Sequence, residues 1–322
     1  MKAIEYMEYG EPEVFHLNEV AKPCPKSNEV LIRVYASTVT AADIMMRKGK
    51  PVIGRIYLGL KKPKRSILGF EFAGEIVEAG KGVTLFKIGD KVFGGTTSLG
   101  CYAEYVCVKE DDVITTIPEN ISYEEAAPVS GSAITVLNFL QSKANIKKDH
   151  KVLINGASGA LGTYAVQYAK HVGAKVTGVC STANVALVKS LGADRVIDYT
   201  KDDFTQNEDQ YDIIFETVGK RSYPQCKNSL TQNGVYLSTV IGFPFFIQMI
   251  WTSISGSKKA KSSSTGMLPV KERFNYLIEL KELLKMGKIK TVIDNHYPLS
   301  QIEEAHKYVE KGHKKGSVII TV

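Results

Sequence analysis

The chain has 322 residues, of which 44% are hydrophobic and 23% charged. These are the proportions of an ordinary globular protein with room for about two domains, and they exclude fibrous, disordered and disulfide-stapled classes. The net charge is +7, but the Lys-rich pieces at 61–65, 258–261 and 311–315 are short and lack interleaved aromatics, so no nucleic-acid partner is expected. The first ten residues carry acids where a signal peptide needs an apolar run. The densest apolar stretch, 243–254, is well short of the roughly 20 residues of a bilayer span. Five scattered cysteines, odd in number and without metal-ligand spacing, read as free thiols. The expectation is a cytoplasmic protein with no membrane partner.

From Met1 to about Ile121 short apolar or alternating runs at 30–36, 72–78, 91–93, 103–108 and 113–116 predict strands, and glycines punctuate them. This part reads as all-β with little helix. A helix at 133–140 then leads into an alternation of strands and helices. A strand from Lys151 enters a glycine turn, followed by a helix at 163–172, a strand at 175–180, a helix at 185–191 and a strand ending at Asp198. Further strands at 211–215 and 235–239 flank a helix at 223–230. Strict alternation of this kind implies a parallel sheet covered on both faces. After Gly242 the pattern weakens, and the polar run 256–266 reads as a loop or a mobile edge. A helix at 270–286, a strand near Thr291, a helix at 300–311 and a strand at 317–322 follow. The loops 51–66 and 243–267 are expected to shape substrate specificity.

The turn is the most telling segment. A diphosphate can rest on a helix N-terminus only where backbone N–H groups point at it and no Cβ intervenes. In Gly156-Ala-Ser-Gly-Ala-Leu-Gly162, Gly159 permits that approach and Gly162 lets helix and strand pack closely. Strand, glycine turn, helix and strand within about thirty residues is the context that a dinucleotide-binding unit requires.

The order of parts resembles the medium-chain dehydrogenase/reductase superfamily and, within it, the zinc-free quinone oxidoreductase (zeta-crystallin-like) branch. The resemblance is carried by Leu68-Gly-Phe-Glu-Phe-Ala-Gly74, Phe86-Lys-Ile-Gly-Asp-Lys-Val-Phe-Gly94, Tyr102-Ala-Glu-Tyr-Val106, Val152-Leu-Ile-Asn-Gly-Ala-Ser-Gly159 and Ser190-Leu-Gly-Ala-Asp-Arg-Val-Ile-Asp-Tyr199. It implies a doubly wound parallel α/β Rossmann sheet, residues 124–266, inserted into a GroES-like β-rich catalytic domain built from 1–123 and 267–322, with an active-site cleft at the domain junction. Zinc-dependent members place ligands at the positions of Thr40, Phe70 and near Ser130, which cannot supply the nitrogen and thiolate that zinc prefers, so no zinc is expected.

The resemblance assigns a nicotinamide cofactor to Gly156, Ser158, Gly159, Ala160, Leu161, Gly162, Ser181, Tyr199, Val218 and Ile241. No acid follows Cys180-Ser181-Thr182 until Asp194, whereas an NAD-tuned site carries one about twenty residues past the turn, so NADPH is favoured and NADH left open. Ser181 and Thr182 also read as a helix cap. The implied chemistry is hydride transfer to a quinone or enone. Thr40 and Thr135 are the catalytic candidates. Asp43 is expected to cap the helical turn after Thr40, and the histidines are expected on turns or solvent-facing positions. The position of a relatives' active-site tyrosine is Met45; Tyr57 is the substitute considered. The competing readings are an alcohol dehydrogenase and a non-catalytic nucleotide-binding scaffold. The partners expected are a small-molecule substrate and a second copy, as a homodimer.

Overall fold

The computed structural model describes residues 1–206 and 210–322. The chain divides into two compact units: Met1–Gly131 with Pro269–Lys285 and Thr291–Val322, and Ser132–Leu268 with Met286–Lys290.

The first unit is built on the strand Glu29–Thr38, which is buried along most of its length. It pairs antiparallel with Glu71–Ala79, with Tyr105–Lys109 and with the C-terminal strand Ser317–Thr321, where Ile319 lies opposite Thr38. Strands from 29–116 and the two C-terminal strands, Ile293–Pro298 and Ser317–Thr321, therefore share one seven-stranded sheet. Two short helices, Ala41–Lys48 and Arg55–Leu58, interrupt this β-rich part. The strand expected near Thr291 runs over Ile293–Pro298.

The second unit is an α/β Rossmann sheet. Its strands are β1 (Lys151–Asn155), β2 (Lys175–Cys180), β3 (Arg195–Asp198), β4 (Tyr211–Glu216), β5 (Leu230–Ser238) and β6 (Lys259–Lys261), all parallel and ordered 3-2-1-4-5-6. Four helices of this unit are α1 (Ala160–Val172), α2 (Val185–Ser190), α3 (Tyr223–Cys226) and α4 (Phe243–Ile254). The strand order reverses between β1 and β4, and in open parallel sheets ligands bind outside the carboxyl ends of the strands at that point.

Four local readings change. The helix expected over 223–230 ends at Cys226; a single 3-10 turn follows, and Leu230, fully buried, already pairs with Tyr211 in the sheet. The polar run 256–266 contains β6, whose lysines sit on the sheet edge while Ala260 alone among the three turns inward. Residues 243–254 form a helix rather than a loop, with Gly242 at its N-cap and Pro244 in the first turn, where a missing N–H costs nothing. The helix near 133–140 widens from Ser132–Leu137 into a π-turn over Asn138–Lys143, where the buried Asn138 amide donates to Ser263 and Thr265 at 2.8 and 2.9 Å.

Candidate functional site

The three glycines of the turn have different physical reasons. Gly156 has φ +83°, and a Cβ there would lie 2.4 Å from Val218 Cγ2 and 2.5 Å from Thr217 Oγ1, so glycine is needed for conformation and for the close seat of Val218. A Cβ on Gly162 would meet the Gly156 carbonyl oxygen at 2.1 Å and the Ala157 Cα at 2.6 Å. Gly162 is thus required by helix-to-strand packing. Gly159 is different: an added Cβ would have only the Gly156 carbonyl oxygen at 3.5 Å, an ordinary contact, and the backbone there is extended with φ −79°. Among the described residues no neighbour demands a glycine at 159. It caps α1 without a side-chain hydrogen bond, so the N–H groups of Ala160, Leu161 and Gly162, in the first turn, have no acceptor within the helix.

The other expected cofactor residues all follow the carboxyl ends of strands in this same sheet: Ser181 after β2, Tyr199 after β3, Val218 after β4 and Ile241 beyond β5. Tyr199, Val218 and Ile241 are each about half exposed. Two buried side chains that sequence reading missed hold Ser181 and the Val218 loop. Asn184 donates to Ser158 Oγ at 3.0 Å and to Ser181 Oγ at 3.3 Å, joining the glycine turn to the end of β2. Glu216, fully buried at the end of β4, accepts from Asn155 Nδ2 at 2.6 Å and from the Val218 and Gly219 N–H groups at 2.7 and 2.8 Å. It thereby shapes the loop that carries Val218. A carboxylate followed closely by a glycine at a strand end was the available signal.

The capping reading at β2 is also refined. Ser181 stands at the N-cap but makes no side-chain cap bond, and Thr182 donates instead to Asp198 Oδ2 at 2.5 Å. The end of β2 is therefore free of acids along the sequence but not in space, because the register places Asp198 opposite Cys180. Both carboxylate oxygens of Asp198 are engaged locally, Oδ1 by the Thr200 hydroxyl and N–H at 2.7 and 3.1 Å. The Thr182 hydrogen bond, above all, holds the carboxyl below its ordinary range. Asp194, the nearest acid in sequence, is occupied by Lys170 at 2.8 Å and by the Val176 N–H.

In the first unit Thr40 caps the helix Ala41–Lys48. Its Oγ1 accepts from the Asp43 N–H at 3.4 Å and Asp43 Oδ2 accepts from the Thr40 N–H at 2.9 Å, a capping box, and the Thr40 hydroxyl also donates to Asp43 Oδ2 at 2.6 Å. Asp43 is 1% exposed. Burial pushes its carboxyl up to about 6 against the lowering effect of the Thr40 hydrogen bonds. Glu71 is buried, takes a very short hydrogen bond from the Thr38 hydroxyl, and its Oε1 would overlap a Cβ on Gly131. Ser130 donates to the Gly94 carbonyl at 2.7 Å. Among the described residues no three His, Cys, Asp or Glu side chains group as a metal ion would need. Thr135, half-buried, lies on Ser132–Leu137 in the second unit, whereas Thr40 belongs to the first.

Two other expectations receive a place. Tyr57 lies on Arg55–Leu58 and is 75% exposed. His306 is not solvent-facing but fully buried on the helix Ile302–Lys311, edge-on to Phe15 at 4.7 Å between ring centres and 3.4 Å from the Tyr102 hydroxyl. The helix buries Ile302, Ala305, His306 and Val309, a stripe at helical spacing that includes the histidine. Burial and the nearby Arg47 guanidinium push its imidazole down to about 3.

Two family models match the chain: an alcohol dehydrogenase GroES-like domain over residues 26–119 and a zinc-binding dehydrogenase over 191–320. A quinone-oxidoreductase homolog of Spinacia oleracea chloroplasts is 34% identical over 99% of this chain and 98% of its own length. A 2-methylene-furan-3-one reductase of Solanum lycopersicum is 31% identical over 99% of this chain and 79% of its own. The crystal structure of the Escherichia coli quinone oxidoreductase complexed with NADPH superposes with a TM-score of 0.86 over the whole of both chains at 27% identity. The glycine turn at the switch point, the sheet shared by strands from 29–116 and the two C-terminal strands, and these full-length likenesses agree: the chain belongs to the quinone oxidoreductase branch of the medium-chain dehydrogenase/reductase superfamily.

Proposed function

We propose that the protein is an NADPH-dependent reductase that delivers hydride to a quinone or an activated alkene without a metal. The observation that carries this reading is Gly159, at the switch point of the sheet, where no described neighbour requires a glycine yet the helix end beside it is uncapped. The residues there fit a dinucleotide. The N–H groups of Ala160, Leu161 and Gly162 would receive its diphosphate, with Ser158, Ser181 and Tyr199 towards the adenosine end and Val218 and Ile241 lining the path of the chain. NADPH is favoured over NADH because Asp198, the carboxylate that Thr182 contacts, is already engaged by Thr182 and Thr200 and is a poorer acceptor for a ribose 2′-hydroxyl. When bound, the nicotinamide supplies a hydride to an electron-poor carbon or quinone.

The acceptor also needs a proton on the oxygen where negative charge develops. Thr40 Oγ1 is assigned that contact, and Thr135 is assigned to hold the nicotinamide end. With Asp43 ionised, the Thr40 proton is directed at Asp43 Oδ2 and is not available outward. With Asp43 protonated, the carboxyl donates to Thr40 Oγ1 and releases the hydroxyl proton to an acceptor. Asp43 is thus a proton reservoir behind Thr40, with its carboxyl raised by burial into the range where both forms are populated. The absence of a metal rests on the donors at the zinc-ligand positions: Thr40 and Ser130 offer only hydroxyls, already committed to Asp43 and Gly94, and Phe70 offers none. The five cysteines are unpaired thiols, which supports a reducing compartment such as the cytosol.

The test is titration with NADPH and NADH, followed by NADPH oxidation against a panel of quinones and enones, with elemental analysis of protein purified without chelators. Tight NADPH binding with turnover of at least one acceptor and no stoichiometric metal is expected. Binding without turnover of any acceptor favours the scaffold reading, and binding of neither cofactor removes both.

A further inference from the structure

The helix α4 is apolar on two sides. Its inner side is accounted for, because Phe245 and Met249 pack on the core of the second unit, Phe245 edge-on to Tyr236 at 5.6 Å, and Thr252 is buried. Its outer side consists of Phe243, Phe246, Ile247, Ile250, Trp251 and Ile254, at the i, i+3, i+4, i+7 spacing of a single stripe, and all six are exposed, Phe243 by 77% and Ile254 by 83%. A helix on a globular surface normally turns a polar face outward, and one that is apolar all round is covered by something.

The charge around it indicates by what. From Thr217 to Leu268 the sequence contains no Asp or Glu but six Lys and Arg, nearly the whole +7 excess of the chain. Three of these are tied to α4 and its flank. Lys227 Nζ lies 5.9 Å from the Trp251 ring centre, Lys258 donates to the Lys227 carbonyl at 2.8 Å, and Lys259 donates to the Thr252 carbonyl at 2.6 Å in the last turn of the helix. An apolar and aromatic stripe bordered by lysines is the make-up of a helix that lies in the interface of an anionic bilayer, with rings among the acyl chains and ammonium groups at the headgroups. In a two-fold pairing a second copy would offer the same stretch 217–268, which contains no carboxylate to meet these ammonium groups.

We propose that the outer face of α4, bordered by Lys227, Lys258 and Lys259, docks the protein on an anionic membrane surface. This binding is peripheral, because no described helix is long and apolar enough to cross a bilayer. It revises the sequence expectation of no membrane partner, and it is independent of the proposed reductase activity.

Trp251 is the only tryptophan in the chain, so its emission reports the face directly. The full chain is titrated with phosphatidylcholine vesicles with and without phosphatidylglycerol, reading Trp251 emission and co-sedimentation. A blue shift and co-sedimentation with the anionic vesicles are expected, weakened at high salt. Ile250→Glu should reduce the partitioning by roughly tenfold or more, and Ile254→Glu likewise, while an unchanged thermal unfolding midpoint in both variants certifies the fold. Four results would overturn the proposal: no response to either vesicle; the same response from the Ile250→Glu variant; blue-shifted emission without lipid that moves red on dilution, which assigns the face to a second copy; and an equal response to duplex DNA.

Discussion

The Thr40 hydroxyl donates to the Asp43 carboxylate at 2.6 Å and accepts from the Asp43 N–H at 3.4 Å, so one hydroxyl both caps the helix and has its proton direction set by Asp43. Because Asp43 is raised to about 6 by burial, its protonated form is lost as pH rises through that value. The expected outcome is a kcat/KM that falls by about tenfold per pH unit above roughly pH 6. Asp43→Asn should remove that dependence. Thr40→Val should lower kcat roughly a hundredfold with the NADPH Kd unchanged, and full activity in this variant would take Thr40 out of the chemistry.

The two glycines that end the turn are expected to separate binding from folding. Gly159→Ala adds a Cβ with no close neighbour among the described residues, so thermal unfolding should be unaltered while the NADPH Kd rises at least about tenfold. Gly162→Ala drives a Cβ to within 2.1 Å of the Gly156 carbonyl oxygen and should cost about 1–3 kcal/mol of stability or prevent folding. Calorimetry of the two variants with and without NADPH distinguishes these effects. Unaltered NADPH affinity in Gly159→Ala would dismiss the diphosphate assignment.

Asn184 is buried and reaches both Ser158 and Ser181. Its replacement by Ala leaves those hydroxyls without their shared donor and should cost about 1–2 kcal/mol. The loss should appear in cofactor affinity, because the two serines belong to different strand ends that Asn184 holds together. Isothermal titration with NADPH measures it; a loss confined to thermal stability would make Asn184 purely structural.

His306 gives the protein a dependence on acid that is separate from catalysis. With its imidazole pushed down from 6.5 to about 3, the unfolded chain binds a proton that the folded chain refuses. Stability is therefore fully present above pH 6.5 and is lost as pH falls towards 3, by about 2 kcal/mol between pH 6.5 and pH 5. Asp43 acts with the opposite sign, since a raised carboxyl weakens the fold as pH rises from 3.8 to about 6. Urea unfolding of the parent and His306→Gln at pH 7 and pH 5 isolates the histidine: the variant should lose less stability on acidification.

The second unit was largely legible in the sequence because buried parallel strands are continuous apolar runs, as in Val152-Leu-Ile154, and helices between them leave glycine punctuation. Edge strand β6 was not, since Lys259 and Lys261 lie at the sheet margin where charge is favoured and only Ala260 is buried. The glycine turn was visible from its spacing, but Asn184 reaches back 26 residues to Ser158 and Glu216 reaches 61 to Asn155 and also takes backbone N–H groups, and neither residue type in isolation signals this. His306 was visible as a member of an apolar stripe on its helix; residue type outweighed position in the sequence reading. The outward face of α4 could not be foreseen, because an apolar run carries no mark of which side is covered.

The pairing of Ile319 with Thr38 also orders events during synthesis. Residues 132–268 leave the ribosome as one continuous stretch, lacking only Met286–Lys290 of their unit, and domains commonly fold as they emerge. The sheet of the first unit must wait for Ser317–Thr321, several seconds later at ordinary elongation rates of about 5–20 residues per second. A chain released before Ser317 would carry the glycine turn and α4 intact while the strand leading to Thr40 lacked its C-terminal partner. Premature termination would thus leave the second unit complete and the sheet of the first unit unfinished.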